Sequence, residues 1–228
     1  MKKCCAVIVL VVLVIANPLV ARQSSDDEVK RVNEATTVLE EIMGAADKAV
    51  PRAIMEKADG IAVFPSMLKG GLVVGAQHGR GIISVRDKTS GGWSAPAFLS
   101  INGGSFGAQI GAQSIDLVLV VNGQRGLEQL VKNQFKVGAD ASVAAGPVGR
   151  DASASTDIQM RAQILSYSRS RGLFAGVTLN GSTIRQDRDA NERFYGTAYR
   201  TGQIVFDGLA TAPEAANVWK ATLAKYAK

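Results

Sequence analysis

The chain has 228 residues, 46% apolar and 20% charged, with 26 Lys and Arg against 20 Asp and Glu and a formal charge of +6. That composition fits one globular domain with a sizeable core and leaves little room for a second. A single histidine, His78, excludes a metal centre built on a histidine pair, and 6% aromatic residues that do not interleave with the basic ones exclude a base-stacking platform for nucleic acid.

The opening "MKK", the apolar "CCAVIVLVVLVIA" and the small residues around Ala21 have the three parts of an export signal. Residues 1–21 therefore read as a signal peptide and 22–228 as the domain, which places the protein outside the cytoplasm, periplasmic or secreted. The apolar run is only slightly short of a spanning helix, so a retained membrane anchor is the alternative. Cys4 and Cys5 stand at the start of this run, where neither serves as a lipidated first residue, and the mature chain then has no thiol for a disulfide or for catalysis. Removing Lys2 and Lys3 lowers the charge from +6 to +4, a mild basic excess.

Ser25 and Glu28 have the spacing of a capping box, Val29, Val32, Thr36, Leu39 and Met43 recur at helical intervals, and Pro51 closes the run, so a helix is expected over 26–50. Its glutamates, Glu34, Glu40 and Glu41, suit packing on the body of the domain better than lying on a membrane. "PRAIMEKADG" reads as a second short helix and "GIAVFP" as a buried strand bounded by Gly60 and Pro65. Strand patterns follow in "GGLVVGAQHGRGIISVR", "WSAPAFLSI", "GSFGAQIGAQS", "IDLVLVVN", "FKVGADASVAAG", "DASASTDIQMRAQILSYSRS" and "LFAGVTLN", separated by glycine and asparagine turns. Residues 152–164 alternate cleanly, as an antiparallel strand with one wet face does. "GLEQLVKN" puts Leu127, Leu130 and Val131 on one helical face. The last helix, "TAPEAANVWKATLAKYAK", starts from a capping box of Thr211 and Glu214 and carries Trp219, Leu223 and Tyr226 on one side.

Gly103, Gly107 and Gly111 fall four apart, the spacing of a close-packed membrane helix seam. Asp116, Gln109 and Gln113, together with the β-branched run that follows, favour strands in which the glycines admit a neighbouring backbone. The fold class is α+β: one domain, a mostly antiparallel, glycine-rich sheet or barrel-like body bracketed by N- and C-terminal helices.

Most catalytic chemistry is missing. "GAQHGRG" has neither the dinucleotide nor the Walker spacing and runs into a strand, so no nucleotide is expected. No G-x-S-x-G elbow occurs and His78 has no histidine or cysteine partner, so the chain reads as non-enzymatic and without a cofactor. Residues 150–200 hold a dense set of arginines interleaved with Asp151, Asp157, Asp187, Asp189 and Glu192. This is either an internally paired surface or a face for an acidic partner.

The ordered segments "KADGIAVFPSMLKGG", "GRGIISVRD", "GGWSAPAFLSINGGSFGAQIGAQSIDLVLVVN", "VGADASVAAGPVGRDASA" and "SYSRSRGLFAGVTLNGSTIRQDRDANERFYG" resemble the SYLF domain family across nearly all of residues 57–196. The resemblance implies a domain that engages anionic lipids, with actin regulation in fungal and animal members. Carried onto this chain, it marks Lys69, Arg150, Arg169 and Arg171 as basic positions for lipid contact. An export signal and the lack of an attached SH3 or FYVE module point away from actin and cytosolic phosphoinositides and toward the anionic phospholipids of an envelope, with the domain peripherally attached. An envelope structural or protein-interaction module, its basic face meeting an acidic protein, is the alternative.

Overall fold

The computed structural model describes residues 18–45, 49–71, 74–106, 111–148, 162–170, 173–176, 179 and 181–227. Its elements in chain order are α1 (Pro18–Gly44), α2 (Arg52–Glu56), β1 (Gly60–Gly71), β2 (Val74–Val85), β3 (Ala97–Phe106), β4 (Gly111–Val121), α3 (Gln124–Leu130), β5 (Gln134–Lys136), β6 (Val143–Ala145), β7 (Ile164–Ser170), β8 (Leu173–Gly176), β9 (Ser182–Gln186), α4 (Arg188–Tyr195), α5 (Thr201–Val205) and α6 (Ala215–Tyr226). The strands form one sheet in the order β5-β9-β3-β2-β1-β4-β7-β6, with β8 also pairing β7. Every ladder is antiparallel except β6 on β7. The sheet curves into a half-barrel with helices at both ends of the chain, as the α+β reading expects.

Both faces of this sheet are buried. On β1, Ile61 and Val63 join an outer core while Ala62, Phe64 and Met67 join an inner one; β4 divides in the same way, Val118 and Val120 against Leu117, Leu119 and Val121. Runs such as "IDLVLVV" are apolar at successive positions because each side of the strand meets a core. The outer core is closed by α1 and α6, the inner one by α3 and α5. A fully buried leucine or phenylalanine stabilises by about 1.5–3 kcal/mol, so the two layers together supply the main cohesive energy. Trp219 of α6 is wholly buried, and its indole N–H donates to the Ser84 hydroxyl on β2 at 2.8 Å.

Several expected boundaries move. The α1 helix runs from Pro18 through Ser25, so the capping box at Ser25 and Glu28 does not form, and it ends at Gly44, ahead of Pro51. Pro51 instead sits at the N-cap of α2. The buried face of α1 is broader than the sequence stripe, adding Ala35, Val38 and Ile42 to Val32, Thr36 and Leu39. At the other end α6 starts after Glu214 with no side-chain cap, so the Thr211 box is also absent.

Pro65 does not end β1. The strand continues to Gly71 through a bulge at which both ladders change register, between Val63 and Leu68 toward β2 and between Phe64 and Met67 toward β4. A residue without an N–H is tolerated at such a break, and Ser66 next to it takes φ +48°. Asn102, expected in a turn, lies inside β3 together with Gly103, and "GSFGAQIGAQS" is split between the end of β3 and the start of β4. Gly107 is outside the described residues. "FKVGADASVAAG" likewise divides at a turn where Gly138 has φ +85°. Of the alternating stretch 152–164, residues 152–161 are outside the described residues; the strand that follows, β7, is buried on both sides from Ile164 to Tyr167. No helix among the described residues is long and apolar enough to cross a membrane.

The glycines of β2 act by close approach. A Cβ on Gly81 would lie 2.5 Å from the Phe64 ring and overlap the Val63 carbonyl, both in the neighbouring strand, whereas a Cβ on Gly44 meets nothing within 4 Å. Gly81→Ala is therefore expected to destabilise by about 1–3 kcal/mol through overpacking, and Gly44→Ala to stay within about 0.5 kcal/mol. Denaturant midpoints of the two variants check this; equal midpoints would remove the packing account.

Candidate functional site

Two charge clusters fasten α1 to the outer face. The first begins at the β1 bulge. The Ser66 N–H donates to Asp116 Oδ1 at 2.9 Å, and Asp116 Oδ2 accepts from Arg169 Nε at 2.9 Å and Nη2 at 2.7 Å. Asp116 and Arg169 face each other across the β4/β7 ladder, so this contact is fixed by strand register. Arg169 also reaches Glu41 of α1 through an ion pair. Burial works against the Arg169 charge, but the bonds and fields of Asp116 and Glu41 outweigh it and hold its pKa above the ordinary value. The charge is thus present at any pH the protein meets.

The second cluster is deeper. Glu28, 1% exposed, accepts from Arg193 of α4 at 2.8 and 3.2 Å. Arg31, one helical turn on, stands 3.6 Å from Glu28 and 3.4 Å from Asp187, with its guanidinium 5.3 Å from the centre of the Phe98 ring. Asp187 in turn caps α4 by accepting the Ala190 N–H. Hydrogen bonding to Glu28 raises the Arg193 pKa, while desolvation lowers that of Arg31. A capping role was expected of Glu28; its carboxylate is used between helices instead.

Between α1 and the bulge lies a groove of about 680 Å³, lined by Lys30, Glu34, Glu41, Ser66, Asp116 and Arg169 among others. A smaller neighbour of about 300 Å³ lies against Arg31, Leu68, His78 and Arg80. His78 is exposed and its Nδ1 is 2.7 Å from Asn102 Oδ1, a cross-strand pair. Leu68, directly opposite His78 on β1, is 60% exposed.

Of the expected lipid-contact residues, the two that are described, Lys69 and Arg169, lie on opposite faces. Lys69, half-buried, pairs with Gln77 and Gln113 and lies on the inner side of β1 with Met67, next to the point where β1 ends. Arg169 lies on the outer side under α1, in its carboxylate cluster. Arg150 and Arg171 are outside the described residues. β1, β6 and β7 all run toward the end of the sheet at which Gly71 pairs with Gly75 and Gly111, and Lys69 and Arg169 both lie in the later part of their strands. Sequence reasoning missed Glu41, Asp116, Glu28 and Arg193 as partners. Their separations, 53 residues for Asp116 and Arg169 and 165 for Glu28 and Arg193, leave no trace in local spacing.

The fold and these clusters define a helix-clamped half-barrel that presents grooves lined by charged side chains. Residues 102–226 match the family model described as "Ysc84: Las17-binding protein actin regulator", and the chain belongs to that family. Similar proteins include the rat SH3 domain-containing YSC84-like protein 1, 34% identical over 175 residues, covering 76% of this chain and 51% of that protein. The Xenopus laevis protein of the same name is 33% identical over 208 residues, covering 90% of this chain and 61% of its own length. Protein YSC84 of Saccharomyces cerevisiae is 34% identical over 175 residues, 75% of this chain and 37% of that protein. The chain thus matches about half the length of the first of these relatives.

The deep cluster yields a stability prediction. Arg193→Ala removes the hydrogen bonds to the buried Glu28 carboxylate, leaving it only the longer ion pair with Arg31, and should cost about 3 kcal/mol. Adding Glu28→Leu to that variant removes the buried charge and should restore most of the loss. Urea midpoints for the single and double variants measure both steps; a neutral Arg193→Ala would mean that the cluster does not hold α1.

Proposed function

We propose that this domain binds the anionic phospholipid surface of a cell envelope, as an exported, peripherally attached and non-enzymatic protein. The observation that supports this reading is that β1, β6 and β7 run toward one end of the sheet, with Lys69 near the end of β1, while in the sequence Arg150 and Arg171 follow β6 and β7. Cations collected at one end can meet a planar charged surface together, whatever face of the sheet each occupies. Each basic residue close to such a surface contributes about 1 kcal/mol, and the attraction is screened by salt. Arg169 shares its charge with Asp116 and Glu41, so its share in the attraction is smaller and its main effect is to keep α1 against β7.

Membership of a family described as actin regulators and Las17-binding proteins favours a second reading, a protein-interaction module whose basic face meets an acidic partner. Co-sedimentation separates the two. Replacing Lys69, Arg150 and Arg171 together by glutamine should weaken binding to phosphatidylglycerol or cardiolipin liposomes on the order of 100-fold at low salt. Binding of the unmodified protein should fall as salt rises, and neutral liposomes should bind poorly. Arg169→Gln alone should lower thermal stability more than it lowers binding. If the unmodified protein ignores anionic liposomes at low salt, the lipid reading fails and the protein-interaction reading replaces it.

A further inference from the structure

At the other end of the sheet, β2 runs out at Val85 and a cavity of about 670 Å³ opens beside it, bounded by the turn that follows, by α5 and by α6. Its walls bring Arg86, Lys88 and Lys220 together with one carboxylate, Asp87. That carboxylate is already committed to its own turn: Oδ1 accepts the Thr89 N–H and Oδ2 the Ser90 hydroxyl, each at 2.8 Å. Lys88 stands 3.5 Å from Asp59 with a largely exposed side chain, a loose contact in water. Arg86 directs Nε to the Ala58 carbonyl at 3.1 Å and Nη2 to the Ala227 carbonyl at 2.6 Å, acceptors that fix the guanidinium without neutralising it.

Trp93 lies beneath that guanidinium, 5.0 Å from its ring centre, and lines the cavity while only 6% exposed. Its indole N–H has no acceptor among the described residues, whereas Trp219 gives its own N–H to Ser84. A buried donor without an acceptor is costly, and buried polar groups are almost always satisfied. Val205, Phe206, Ala221 and Ala224 form an apolar part of the remaining wall, beside Ser90, Ser94 and Gln124, and Phe206 is 41% exposed. An inorganic anion would leave the apolar part unfilled and a hydrocarbon would leave the cations unmatched.

We propose that this cavity binds a small amphiphilic anion, an aliphatic carboxylate, whose oxygens face Lys220, Lys88 and Arg86 while the chain lies against Phe206 and the alanine side of α6. The site is independent of the membrane-facing end and needs no bilayer. It predicts that decanoate, added to the full chain below its micelle concentration, produces a saturable change in tryptophan emission with matching calorimetric heat. Lys220→Gln, a half-buried substitution on the helix surface, should weaken that binding about tenfold. Trp93→Phe should reduce the emission change, and decanol should bind at least about tenfold more weakly than decanoate. The proposal is overturned by an absence of saturable heat with decanoate, by decanol binding as tightly as decanoate, or by a Lys220→Gln variant that binds as the unmodified protein does.

Discussion

A sheet buried on both faces is the constraint from which the rest of this molecule follows. The central strands β1 to β4 carry apolar side chains at successive positions, and neither set can face water without losing the burial that stabilises the fold. Helices must therefore cover both sides, α1 and α6 on the outer core and α3 and α5 on the inner one. Close stacking in turn demands small residues where large ones protrude. Gly79 gives room to Met67, and Gly81 to Phe64, one strand away. Other glycines serve turns instead, Gly91, Gly123, Gly196 and Gly208 taking positive φ in open space.

Hydrophobic cover alone does not fix the position of a helix on a sheet, because apolar contact is non-directional. The two charge clusters supply direction. Arg169 ties β7 and β4 to Glu41 of α1, and Glu28 and Arg31 tie the other part of α1 to Arg193 and Asp187 around α4. Both depend on strand geometry: Asp116 is available because the bulge at Pro65 and Ser66 turns a backbone N–H toward it. The irregularity in β1 thus helps to position the helix, and with it the groove between them.

What could be read from the sequence was what local periodicity records. The α+β class, α2, the helix around Leu127 and the C-terminal helix at Trp219 follow from short-range patterns, and the family follows from the order of motifs. Strand limits failed where a residue that usually ends a strand is used inside one: Pro65 at a bulge and Asn102 within β3. Gly103 was legible as a strand glycine that admits a neighbouring backbone, but the neighbour, Ser182 of β9, is far off in sequence and was not. The same holds for charge. Arg169 reads as an available cation until its register partner Asp116 is known, and Glu28 reads as a cap until Arg193 is seen beside it. The α4 helix had a legible start and stop that were passed over, Asp187 at its N-cap and Gly196 with φ +69° at its end.

The two ends of the sheet are therefore distinct: one toward which β1, β6 and β7 run and where Lys69 stands, the other where Trp93 and Lys220 line a cavity. Hydrogen exchange of the full chain, with and without phosphatidylglycerol liposomes at low salt, tests that separation most directly. The expected result is slowed exchange of the amides at residues 68–75 and 168–174, reversed by added salt, with the turn at residues 87–92 unchanged. Protection confined to residues 87–92 or to the exposed face of α1, or no change anywhere, would contradict it.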